Sequence, residues 1–226
     1  MIARYVTITY ETTDTYKKIL LNSKDAKIKI EPSDNDITKL VFFEKKKRPY
    51  EFFVQDSVLT VRPAKAKWYN FIKIGIDRSQ IKLYVPKSML DEISVKSNVG
   101  DVDISSIICN GAIDIQTNTG HINSENISCG IFETKGNTGS VSLSGLIAKE
   151  SVSIKRNSGK VFLNDCHSPE IFVKTNTGKV CGHLPSNTVF EVRTNTGKIE
   201  TPQIPIGETV GVRCEIKTNT GNVKFE

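Results

Sequence analysis

Apolar and polar residues alternate with period two along most of this chain. The pattern is plain in Ala26–Pro32 "AKIKIEP", Ile37–Glu44 "ITKLVFFE", Ser57–Pro63 "SVLTVRP", Phe71–Ile76 "FIKIGI" and Gln80–Pro86 "QIKLYVP". Alternation of this kind places one face of an extended strand in a core and the other in solvent. Polar or charged turns such as "SDND" and "EKKKRPYE" separate the runs.

Beyond residue 90 the alternation acquires a phrase. Seven segments align on Asn-x-Gly: "VKSNVGDV" from Val95, "IQTNTGHI" from Ile115, "TKGNTGSV" from Thr134, "IKRNSGKV" from Ile154, "VKTNTGKV" from Val173, "VRTNTGKI" from Val192 and "IKTNTGNV" from Ile216. Their glycines, Gly100, Gly120, Gly139, Gly159, Gly178, Gly197 and Gly221, are spaced by 20, 19, 20, 19, 19 and 24 residues. Each unit carries short strands that cannot form a sheet alone but can pair with their counterparts in the next unit, at about 4.8 Å per layer. The sequence therefore predicts an all-β, single-chain β-solenoid with coils of about 20 residues. Residues 91–226 form its regular coils, and residues 1–90 form an N-terminal β cap with early irregular coils that covers the open sheet edge.

The repeated phrase reads as a corner. Glycine supplies a positive φ at little cost. Asn98, Asn118, Asn137, Asn157, Asn176, Asn195 and Asn219 tolerate left-handed geometry, bond local backbone and can bond each other along the stack. A phosphate-binding loop is excluded, because no glycine lies five residues before Gly159, Gly178 or Gly197 and the following Lys precedes Val or Ile rather than Ser or Thr.

Composition adds limits. Hydrophobic residues at 38% and charged residues at 25% suit a folded chain rather than a disordered one. No stretch reaches the roughly 18 apolar residues of a membrane span. The opening "MIARYVTITYETT" has neither signal-peptide nor anchor pattern, so the reading is of a soluble chain. Five scattered cysteines without CxxC spacing argue for free thiols rather than a disulfide framework. Cys109 and Cys129 share an offset from their glycines and should be neighbours. Cys166-His167 and Cys181-x-His183 do not fall in one column, which disfavours zinc. No cofactor is implied.

The net charge of +6 gains meaning when the units are stacked. Two residues before Asn, the column reads Lys96, Gln116, Lys135, Lys155, Lys174, Arg193 and Lys217. One residue after Gly it reads Asp101, His121, Ser140, Lys160, Lys179, Lys198 and Asn222. Lys155, Lys160, Lys174, Lys179, Arg193 and Lys198 thus predict a basic ridge suited to an anionic polymer. Nucleic acid is disfavoured, since only Phe162 and Phe172 could stack bases there. The competing reading is a solvated face on which Lys discourages edge association. Asp101 and Asp103 beside His121 and Asn123 are the candidate for a metal site or a carbohydrate-cleaving pair. Lys45–Arg48 reads as a solvated turn, and Trp68-Tyr69 as a cover for the end of the core.

The order "ILLNSKDAKIKIEPSDND", "SVLTVRP", "IKLYVPKSMLDEISVKSNVGDVDI" and then serial T-N-T-G-x-I/V units resembles the bacterial putative-adhesin family of β-strand-repeat domains of unknown function, over about residues 17–226. The resemblance implies a β-helix-like fold and a place in the bacterial envelope or at the cell surface, with some members tied to envelope-stress responses. It carries over no catalytic residue, and this chain departs from many members in showing no N-terminal anchor. A cytoplasmic location is the alternative. The expectation is a non-enzymatic structural or interaction domain with an envelope or surface partner, or a scaffold that self-associates through its solenoid ends.

Overall fold

A computed structural model of the chain describes residues 5–45, 50–64, 79–87, 90–203 and 209–226. Residues 46–48 of the basic cluster, the Trp68-Tyr69 pair and the "FIKIGI" run lie outside the described residues. Among those described the protein is all-β, with every element a strand of one sheet. The strands are β1 (Tyr5–Thr12), β2 (Lys18–Ser23), β3 (Lys27–Pro32), β4 (Thr38–Lys45), β5 (Tyr50–Gln55), β6 (Val58–Pro63) and β7 (Gln80–Val85). They continue with β8 (Leu90–Val99), β9 (Val102–Ser105), β10 (Cys109–Thr119), β11 (Ile122–Thr138), β12 (Val141–Ser158) and β13 (Val161–Asn164). The last six are β14 (Glu170–Thr177), β15 (Val180–His183), β16 (Thr188–Thr196), β17 (Ile199–Glu200), β18 (Val212–Thr220) and β19 (Val223–Phe225).

Pairing from β8 onward is parallel and in register with the repeat. Ile113 sits opposite Ile93 and Phe132, and Ile154 opposite Thr134 and Val173. The period-two pattern decides which side is core. Val95, Ile115, Ile154, Val173 and Ile216 form one inward column and are fully buried, as are Ile93, Ile113, Phe132, Val152 and Ile171 in the next. Ile107, Ile127, Leu146, Cys166 and Leu184 line the core further along each unit. Register follows from this pattern, because a slip of one residue would turn every one of these side chains into water.

At the corners the repeat glycines adopt φ between 129° and 156°. Steric room matters as much as φ. A Cβ at Gly139 would stand 2.0 Å from the Gly120 carbonyl oxygen, so successive corners stack backbone on backbone. The repeat asparagines keep negative φ, so left-handed tolerance is not their contribution. They bond along the stack instead, Asn118 Nδ2 donating to Asn98 Oδ1 at 3.2 Å and Asn176 Nδ2 to Asn157 Oδ1 at 2.9 Å.

Spatial order departs from chain order at both ends. β18 and β19 insert between the fifth and sixth units: β14 and β16 each pair with β18, and β15 and β17 each pair with β19. The 24-residue spacing before Gly221 supplies the extra chain for this step back. The other end mirrors it, with β2 and β3 lying between β8/β9 and β6/β7. "ILLNSKDAKIKI" is thus a degenerate unit, in which Ala26 lies where its neighbour has Gly100. Antiparallel pairs β5–β6, β4–β7 and β1–β4 continue the sheet beyond it.

Candidate functional site

Strand alternation turns the residue two places before each Asn outward, and parallel register stacks these residues at about 4.8 Å intervals. Lys96, Gln116, Lys135, Lys155 and Lys174 line one side of a shallow groove of about 860 Å³, and Asn98, Asn118, Asn137, Asn157 and Asn176 line the other. The inserted unit changes the predicted ridge. Lys174 adjoins Lys155 and Lys217, and Arg193 adjoins Lys217 rather than Lys174. In the second column the Val180–Val223–Ile199 register sets Asn222 between Lys179 and Lys198, which interrupts the basic run there.

Neutralisation along the groove is uneven. Lys135 pairs with Glu133 at 3.3 Å, Arg193 with Glu191 at 3.1 Å, and Lys217 with Glu215. Lys96, Lys155 and Lys174 make no ion pair among the described residues. The outward neighbours of Lys155 and Lys174 within their strands are Ser153 and Phe172, where the third, sixth and seventh units carry Glu133, Glu191 and Glu215. The Phe172 ring instead receives Lys155 Nζ at 5.8 Å and Lys217 Nζ at 5.5 Å, while Lys160 lies 5.4 Å from the Phe162 ring. Such contacts hold a cation without cancelling its charge.

One cation beneath the groove was not singled out from the sequence. The residue before Asn points inward and is small in six units: Ser97, Thr117, Gly136, Thr175, Thr194 and Thr218. In the fourth unit it is Arg156, which is 4% exposed. Its guanidinium fills the space a side chain at Gly136 would need and donates from Nη1 to the Thr117 carbonyl at 3.2 Å. Nε and Nη2 are buried without a partner among the described residues. Burial pushes this guanidinium down from 12.5 to about 10. Reading that column alone, with its lone Arg beside its lone Gly, would have found the pair.

The candidate metal cluster is occupied by protein partners. Asp101 Oδ1 accepts from the His121 N–H at 2.8 Å, and His121 Nδ1 accepts from the Ser140 N–H at 3.1 Å. Asp103 accepts from Asn123 Nδ2 at 2.8 Å and pairs with Lys27 at 3.0 Å. Among the described residues no three His, Cys, Asp or Glu side chains gather as a metal site would require. The five cysteines are free and buried. Cys109 and Cys129 are neighbours, next to the Ile108–Ser128 bridge. Burial raises the Cys129, Cys166 and Cys214 thiols to about 12, far from a reactive thiolate.

An all-β sheet built from in-register repeats, with an unevenly neutralised basic groove on one flank, defines the class of protein. The chain belongs to the Toastrack DUF4097 family, whose model matches residues 16–226. Among solved structures it is similar to a putative adhesin from Bacteroides fragilis at 17% identity, covering 98% of this chain and 97% of that one, with a TM-score of 0.50. A putative adhesin from Parabacteroides distasonis matches at 16% identity over 98% and 97% of the two chains, with a TM-score of 0.46. A putative cell adhesion protein from Clostridium sporogenes matches at 11% identity over 98% of each chain, with a TM-score of 0.41. None of the curated proteins matches. No helix among the described residues is long and apolar enough to cross a membrane.

Proposed function

We propose that this chain is a non-enzymatic β-solenoid interaction module of a bacterial envelope or surface protein, and that its basic groove seats an anionic polymer. In this reading residues 91–226 are the regular coils that present the groove, and residues 1–90 are the cap with early coils. The observation that carries the proposal is the pair Lys155 and Lys174. They are directly opposite in a parallel ladder, exposed, and without an acidic partner among the described residues. Like charges so placed are destabilising, and Arg156 adds an uncompensated charge beneath them. A polyanion laid along the groove would relieve that repulsion at several points at once. The solved neighbour from Bacteroides fragilis is called a putative adhesin, which directs the search for that partner to the cell surface.

The test is binding of wild type and the Lys155→Glu/Lys174→Glu double variant to a teichoic-acid-type polyphosphate and to a neutral glucan, at two salt concentrations. The expected result is binding to the polyphosphate that weakens with salt and falls at least about tenfold in the variant. Equal binding by a folded variant would return these lysines to a solvated face.

A further inference from the structure

The sheet ends at β16, which pairs with β18 on one side and with nothing on the other among the described residues. Among the described residues nothing covers the core at this end. Phe190 and Val192 belong to the two inward columns whose members Ile171, Val173, Cys214 and Ile216 are at most 1% exposed, yet both are only partly buried. Outward, Val189 is 38% exposed, and Ile199 on β17, which continues the inward column of Val180 and Val223, is still 47% exposed. No proline or bulge blunts the strand, although natural sheet edges usually carry such protection.

The direction of the unused backbone groups follows from the pairs that are made. The carbonyls of Thr196 and Lys198 accept from the N–H groups of Gly221 and Val223, both at 2.9 Å. Even-numbered residues therefore face β18, and strand alternation turns the N–H and C=O of Val189, Glu191, Arg193 and Asn195 to the free edge. Two copies of β16 meeting antiparallel about a two-fold axis have few registers in which these groups pair. Centred on Glu191 or Arg193, the register sets like charges directly opposite. Centred on Val192, it sets Glu191 against Arg193 of the second copy, twice by symmetry, and Val189 against Asn195. All four edge-facing residues then sit in hydrogen-bonded pairs, while Val192 meets its own counterpart on the inward face and the open core columns of the two copies join.

We infer that the β16 edge is a homodimer interface, in which two copies of this chain pair antiparallel about Val192 with reciprocal Glu191–Arg193 contacts. The occupant is a second copy because the edge is complementary to itself, in charge as well as in hydrogen bonding. The present Glu191–Arg193 pair within one strand is highly exposed, with side chains 63% and 71% accessible, so both groups are free to exchange partners at little cost.

The experiment is sedimentation velocity on the full chain from about 1 µM to about 1 mM, a range that brackets ordinary dimer affinities. Wild type should shift with concentration toward twice its 25.1 kDa mass. Glu191→Lys alone, or Arg193→Glu alone, places like charges opposite each other at two points and should weaken dimerisation at least about tenfold. The double exchange Glu191→Lys/Arg193→Glu restores complementarity and should restore the dimer. Circular dichroism checks that each variant is folded. A wild type that stays at the mass of one chain, species larger than dimers, or single variants that dimerise like wild type would each overturn the inference.

Discussion

Replacing Arg156 by methionine tests whether the groove is underlain by a cation that the fold tolerates rather than needs. Arg156→Met removes the Nε and Nη2 donors, which are buried without partners, and with them a desolvated charge. Each unsatisfied buried donor costs about 1–3 kcal/mol, and the one bond surrendered, to the Thr117 carbonyl at 3.2 Å, is worth about 1.5–3 kcal/mol as a charged hydrogen bond. Methionine keeps the apolar stem and can fill the space beside Gly136. At the midpoints of these ranges the balance is a gain of about 2 kcal/mol, or roughly 4–8 °C in Tm for a chain of this size. The pH dependence gives a second reading. Burial holds the Arg156 guanidinium near 10, below its ordinary 12.5, so between those values the unfolded chain binds more protons and wild-type stability rises with pH. The cost is fully present below about 10, so the advantage of Arg156→Met should be constant near neutrality and shrink as pH climbs past that value. Calorimetry of both proteins measures it. A lower Tm for the variant at pH 7 would refute the reasoning and show that the guanidinium is satisfied in solution.

Other positions give equally definite expectations. Gly139→Ala should destabilise by about 2–4 kcal/mol in thermal or urea unfolding, since it strains φ at 129° and drives a Cβ against the Gly120 carbonyl. Asn118→Ala breaks bonds to both Asn98 and Asn137 on an exposed surface and should cost about 1 kcal/mol. Ellman's reagent should find the cysteines unreactive near neutral pH and count all five only after unfolding, because burial holds Cys129, Cys166 and Cys214 near 12. Millimolar calcium should leave Tm unchanged, as Asp103 is already engaged by Lys27 and Asn123. A rise of several degrees would reinstate the cluster as a cation site.

What the sequence determined by itself was local and periodic. Alternation assigned strands and their buried faces, since a side chain's face depends only on its parity within the strand. The repeat phrase identified Gly100 through Gly221 as corners and put Lys155 beside Lys174, because neighbouring units of equal length must stack in register. Chain order, however, is not spatial order. That Lys217 rather than Arg193 adjoins Lys174 depended on where β18 found its lowest-energy place. A strand between two others satisfies both backbone edges and buries both neighbours' columns, a gain that no window of sequence contains. The 24-residue spacing before Gly221 announced spare chain without saying where it would go. The same logic hid the early unit "ILLNSKDAKIKI", whose Ala26 lacks the glycine mark but meets the Gly100 corner once folded. Likewise the Arg156–Gly136 fit is a matter of volume between layers, and the partners that engage Asp101 and Asp103 come from β3, from β11 and from the turn just before β11. Only tertiary structure could bring them together, because packing and charge compensation act across space while sequence pattern acts along the chain.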